Sequence, residues 1–141
     1  MKKKDALVLY WDTSAVISTL FKDNHSQEAL QYAGSNGIHL ISSLALAETY
    51  AAINRLRRER LLADVLIEAA FEALETGPWR QLKLSPDDKI VKKLAEKWPL
   101  RGADLWHIAA AKTLQHDLPE LGILTYDSRM YAAALGEKLV L

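Results

Sequence analysis

The stretch LVLYWDTSAV, Leu7 to Val16, decides how the chain is read. ALVLYW is a short run of apolar, β-branched and aromatic residues, the pattern of a strand buried on both faces. Asp12 follows at once, and Thr13 and Ser14 open a helix reaching to about Phe21. A carboxylate thus stands at the handover from buried strand to helix. RGADLWHIAAAK, Arg101 to Lys112, repeats the device, with Asp104 opening an apolar helix.

Working outward, helices are predicted over about Ser26–Ala33, from a Ser42 or Ser43 cap toward Arg58, over about Leu61–Glu75, and from Asp104 to about Gln115. SPDDKIVKKLAEKW predicts another, with Ser85 as cap and Pro86 in its first position. SRMYAAAL predicts a last one. IHLIS after the GSNG turn, a weak WRQLKL, and GILTYD supply further strands, with KLVL as a fifth. Alternating strands and helices with continuous apolar strands imply an α/β fold, a parallel sheet covered on both faces. In such sheets ligands bind beyond the carboxyl ends of the strands.

The 141 residues, half of them hydrophobic, suffice for one domain spanning 1–141 with its own core, and no repeat or linker divides them. Lys plus Arg balances Asp plus Glu at 18 each, so an anionic partner must be held by a local patch. Cysteine is absent, which excludes disulfides, thiolate metal sites and cysteine nucleophiles, and suits a cytoplasmic setting. The opening MKKKDALVLYW is too short in its apolar part for a signal peptide, and no apolar run is long enough for a membrane span.

Four acids stand out: Asp12 after the first strand, Glu48 inside the long helix, Asp104 at a helix start and Asp127 after the fourth strand. Singly, Asp104 and Asp127 fit helix caps better than functional groups, and Asp12 fits both. Glu48 has alanines at helical spacing around it (Ala45, Ala51, Ala52), the wall of a groove, or else it pairs with Arg55 on an exposed face. Gathered in one crevice, each close pair would repel by roughly 3 kcal/mol at ~5 Å and an effective dielectric near 20. Such a cluster needs shifted protonation or a bound cation. All-oxygen ligands favour Mg²⁺ or Mn²⁺, ions that bind phosphate oxygens and acidify water.

The order YWDTSA, SSLALAETYAAI, LRGADLWHIAAA and LTYDSRMYAAA resembles the PIN-domain family, and within it the toxin ribonucleases of VapBC-type toxin–antitoxin pairs. The resemblance covers nearly the whole chain. It implies a three-layer α/β/α sandwich around a mainly parallel sheet of four to five strands. It implies a Mg²⁺ or Mn²⁺ site of Asp12, Glu48, Asp104 and Asp127 and metal-dependent cleavage of RNA, with Ser14 and Thr125 as hydroxyls beside the site. It also implies a small VapB-like antitoxin as partner and a homodimer. Many relatives carry a further acid two positions after the fourth, where this chain has Arg129. Arg129 either contacts a substrate phosphate or is simply an exposed arginine. That departure leaves open a catalytically weak PIN-like binding protein. A phosphotransferase of haloacid-dehalogenase type is disfavoured, because Ser14 stands where its second aspartate belongs.

His107, three residues after Asp104, either joins the site or is a packed, hydrogen-bonded core histidine, the latter preferred. Asp87 and Asp88 are expected to serve a helix start. The RLRRER run, Arg55 to Arg60, reads as a solvated helix end or an RNA or antitoxin contact. The four tryptophans read as core or interface anchors, and Lys2–Lys4 as a soluble tail or a weak phosphate contact.

Overall fold

The computed structural model describes residues 7–141, so the Lys2–Lys4 run lies outside the described residues. Four strands, β1 (Leu7–Trp11), β2 (Gly37–Ser42), β3 (Trp79–Leu82) and β4 (Gly122–Leu124), form one sheet in the order β3-β2-β1-β4. Every pairing is parallel, with Tyr10 opposite Leu40 on one side and Ile123 on the other. The strand-to-helix alternation read from the sequence therefore yields the expected sandwich.

The continuous apolar run of β1 is explained by its two covered faces. Val8 and Tyr10 point into one core, with Leu94 of α5 (Asp88–Lys97), Ile108 of α6 (Gly102–Gln115) and Met130 of α7 (Ser128–Gly136). Leu9 and Trp11 point into the other, against α1 (Thr13–Leu20), α2 (Ser26–Ala33), α3 (Ser43–Arg58) and α4 (Asp64–Thr76). Alternate side chains of one strand thus hold both helical layers. No helix among the described residues is long and apolar enough to cross a membrane.

Three boundaries differ from expectation. KLVL is not a fifth strand: Leu139 N–H still closes α7 by bonding Ala134 O, Lys138 turns through φ 59°, and only Leu139 O reaches Ile123 N. Leu61 does not begin α4, because its N–H returns to Leu56 O behind Arg60 at φ 52°. Asp87, not Ser85, caps α5, taking Lys89 N and Ile90 N on Oδ1. Asp87 and Asp88 therefore serve a helix start as expected, displaced by two residues.

Candidate active site

Because all four strands run the same way, their carboxyl ends open on one edge, and the acids meet there. Asp12 caps α1, Glu48 projects from the second turn of α3, Asp104 lies in the first turn of α6, and Asp127 caps α7. Together with Thr13, Ser14, His107 and Met130 they line a recess of about 170 Å³. Four carboxylates from four elements share one small pocket.

Asp12 is 2% exposed. Its Oδ1 accepts from Ala15 N at 2.9 Å and Ser14 Oγ at 2.7 Å, and its Oδ2 accepts from Thr125 Oγ1 at 2.5 Å. Burial nevertheless pushes its pKa above the ordinary aspartate value, against the pull of those donors. Asp12 is thus both a cap and a site residue. Ser14 and Thr125 touch it directly, and each reaches further: Ser14 Oγ accepts from Tyr126 N, and Thr125 Oγ1 accepts from Asp127 N. Ser14 and Thr125 thereby tie the end of β4 to the start of α1.

Glu48 is not paired with Arg55, which instead lies 3.9 Å from Glu59. Its Oε1 accepts from Thr13 Oγ1 and from His107 Nε2, both at 2.8 Å. The His107 hydrogen bond lowers the Glu48 pKa, outweighing partial burial, with Thr13 assisting. A carboxylate only accepts, which places the ring proton of His107 on Nε2. Nδ1 then accepts from Tyr10 OH at 2.7 Å. Burial pushes the Tyr10 phenol far up, so it keeps that proton. His107 is therefore packed, as preferred, and also part of the site wall. Its spacing of three from Asp104 on one helix signalled this; Tyr10 and Thr13, which complete the chain of contacts, carried no signal of their own.

Asp104 does not cap α6, whose cap position is Arg101. Its pKa is raised by burial and then by the negative charge of Asp127. Asp127 Oδ1 accepts from Arg129 N and Met130 N at the mouth of α7. Arg129 is exposed, and with Arg101, Ser128 and the two aspartates it lines an adjoining recess of about 190 Å³.

The donor set, carboxylates and hydroxyls without thiolate, fits a hard divalent cation better than zinc. Among the described residues no three His, Asp or Glu side chains are drawn together as they would be around a held ion. Asp12 takes protein donors on both oxygens, while Glu48 and Asp127 take theirs on Oε1 and Oδ1 alone, which leaves Glu48 Oε2 and Asp127 Oδ2 available to a cation.

A family model described as the PIN domain matches residues 9–135. The chain belongs to the PIN domain family. Its PIN fold is similar to the crystal structure of VapC20 from Mycobacterium tuberculosis, described as a sarcin–ricin loop cleaving toxin. The TM-score is 0.58 and the identity 18%, with 89% of this chain and 94% of that chain covered. None of the curated proteins matches the chain.

Proposed function

We propose that this PIN domain is a Mg²⁺- or Mn²⁺-dependent endoribonuclease, the toxin of a VapBC-type pair. The observation that carries the reading is the meeting of Asp12, Glu48, Asp104 and Asp127 in one recess at the carboxyl edge of the sheet. Family membership and the likeness in fold to VapC20 support it. A bound divalent ion would supply charge stabilisation at the scissile phosphate and a more acidic water. Asp12, Glu48 and Asp104 would hold the principal ion, and Asp127 would hold a second one or orient the attacking water. Ser14 and Thr125 fix the Asp12 carboxylate, while Tyr10 and His107 fix that of Glu48. Arg129 faces a phosphate of the strand. Water attacks phosphorus in line as the P–O3′ bond breaks, and the departing 3′ oxygen takes up a proton, leaving a 5′-phosphate and a 3′-hydroxyl.

The partners that follow are an RNA substrate and a small VapB-like antitoxin whose basic side chain enters the acidic recess, in a cytoplasmic homodimer. The purified protein with mixed RNA and Mn²⁺ is expected to cleave, and EDTA or Asp12→Asn to stop it. Cleavage undiminished by both would overturn the reading. The second reading, a PIN-like binding protein without catalysis, draws on Arg129 at the position of a further acid. Antitoxin binding without cleavage in Mn²⁺ would favour it.

A further inference from the structure

A recess of about 550 Å³ lies beside the carboxylates rather than among them. Thr125, Asp127 and Ser128 belong to its wall, and the same Asp127 and Ser128 line the Arg101–Arg129 recess. The acidic pocket therefore shares Asp127 with two neighbours, the recess that carries Arg101 and Arg129 and this wider cleft. The cleft is aromatic: Tyr32, Tyr126 and Tyr131 line it, and His25 stacks on Tyr126 at 4.3 Å with the rings 8° apart. Tyr126 is held where it is. Its backbone N–H donates to Ser14 Oγ at 2.9 Å, and its hydroxyl donates to Glu28 Oε1 at 3.0 Å.

We infer that this cleft is a nucleobase subsite, receiving the base next to the scissile phosphate and favouring guanine. The inference rests on the ribonuclease reading above. Single-stranded RNA is read by splaying bases onto aromatic side chains and hydrogen-bonding their edges. His25 and Tyr126 supply the stack. Glu28 supplies the edge contact: a carboxylate accepts only, and it has lone pairs left after taking the Tyr126 hydroxyl. Guanine alone among the four bases presents two adjacent donors, N1–H and the 2-amino group, on its pairing edge. A backbone phosphate would be repelled by the Glu28 carboxylate in this cleft, whereas Arg101 and Arg129 in the adjoining recess offer it donors. A strand crossing the acids would then lay a base in the cleft and a phosphate against Arg101 and Arg129.

The test uses the full chain and RNA hexamers that differ only in the base flanking the cleavage site. Cleavage is followed in Mn²⁺, and binding by fluorescence anisotropy in Ca²⁺. Wild type is expected to prefer guanine by about tenfold, the discrimination of one good paired contact. Glu28→Gln should abolish that preference while cleavage of the other hexamers persists. Tyr126→Phe should weaken it, and Tyr126→Leu should weaken binding of every hexamer. Unchanged base preference in Glu28→Gln overturns the subsite. So does a preference lost together with a lowered melting temperature, unless Glu28→Ala and Tyr126→Phe, folded as wild type, lose it too. If wild type cleaves nothing, the ribonuclease reading fails, and the Ca²⁺ binding series still decides: equal anisotropy for all four bases rejects the subsite, guanine preference retains it. Protection of the cleft by a second copy of the chain, with no response to RNA, would also reject it.

Discussion

Replacing His107 by alanine tests the buried chain that holds Glu48. The ring is 2% exposed, and Tyr10, whose hydroxyl it accepts, is fully buried. Two losses follow. The vacated ring space removes packing in the core around Ile108, about 2 kcal/mol for a partly collapsing site. The Tyr10 hydroxyl loses its acceptor, about 1–2 kcal/mol for an orphaned buried group. Glu48 adds little, because its side chain is 35% exposed and water can replace the lost donor. His107→Ala should therefore cost about 3–4 kcal/mol, and Tyr10→Phe about 1 kcal/mol. In the double variant the orphaned hydroxyl no longer exists, so the two costs should fall short of additivity by about 1–2 kcal/mol. Urea unfolding in EDTA, with unchanged slopes, measures all four corners of the cycle. Additive costs would refute the Tyr10–His107 contact and the positioning role built on it.

Three further outcomes are expected. Burial raises the pKa of Asp12, and burial with the Asp127 charge raises that of Asp104. The folded chain then holds those protons more tightly than the unfolded one, and their contribution to stability falls as pH rises from the ordinary aspartate pKa through the raised value. Asp12→Asn should accordingly gain stability over wild type in EDTA at about pH 8 and less at about pH 4, by urea midpoints. Glu48 acts oppositely, its lowered pKa giving stability that is lost as pH falls. Mn²⁺ well above its dissociation constant should add about 2–3 kcal/mol to wild type, read as a rise in melting temperature, and clearly less to Asp104→Asn. Equal rises would remove Asp104 from the ligands. Gly37→Ala should cost about 2–3 kcal/mol, since φ is 154° and an added Cβ would meet Leu7 O at 2.2 Å; a calorimetric scan matching wild type would show that the β1–β2 edge yields.

The order and type of the elements were legible because β1, β2 and β4 are mostly apolar runs closed by turn residues or an acid, while β3, WRQL, was only weakly marked. Boundaries were less so. Leu61 and Leu139 are ordinary apolar residues whose N–H groups are spent on closing the preceding helix, which no periodicity reveals. The four acids were legible as a set through the resemblance to the PIN-domain family, since three of them stand at junctions and Glu48 lies inside α3. Their individual contacts were not. Whether Glu48 pairs with Arg55 or turns inward depends on α6 delivering His107 across the sheet edge, a contact 59 residues distant. Asp104 read as an opening residue, yet burial first and then the charge of Asp127 raise its pKa, and only the packing of α6 near α7 brings both about. A cap and a place in the recess also coincide: Asp12 and Asp127 have both.

A crystal structure of the protein soaked in Mn²⁺, with the anomalous signal recorded at the manganese edge, tests the shared ion most directly. The expected result is a peak in the recess between α1, α3 and α6, touching Asp12 and at least one of Glu48 and Asp104. A recess without a peak, while manganese occupies carboxylates elsewhere on the surface, would contradict it.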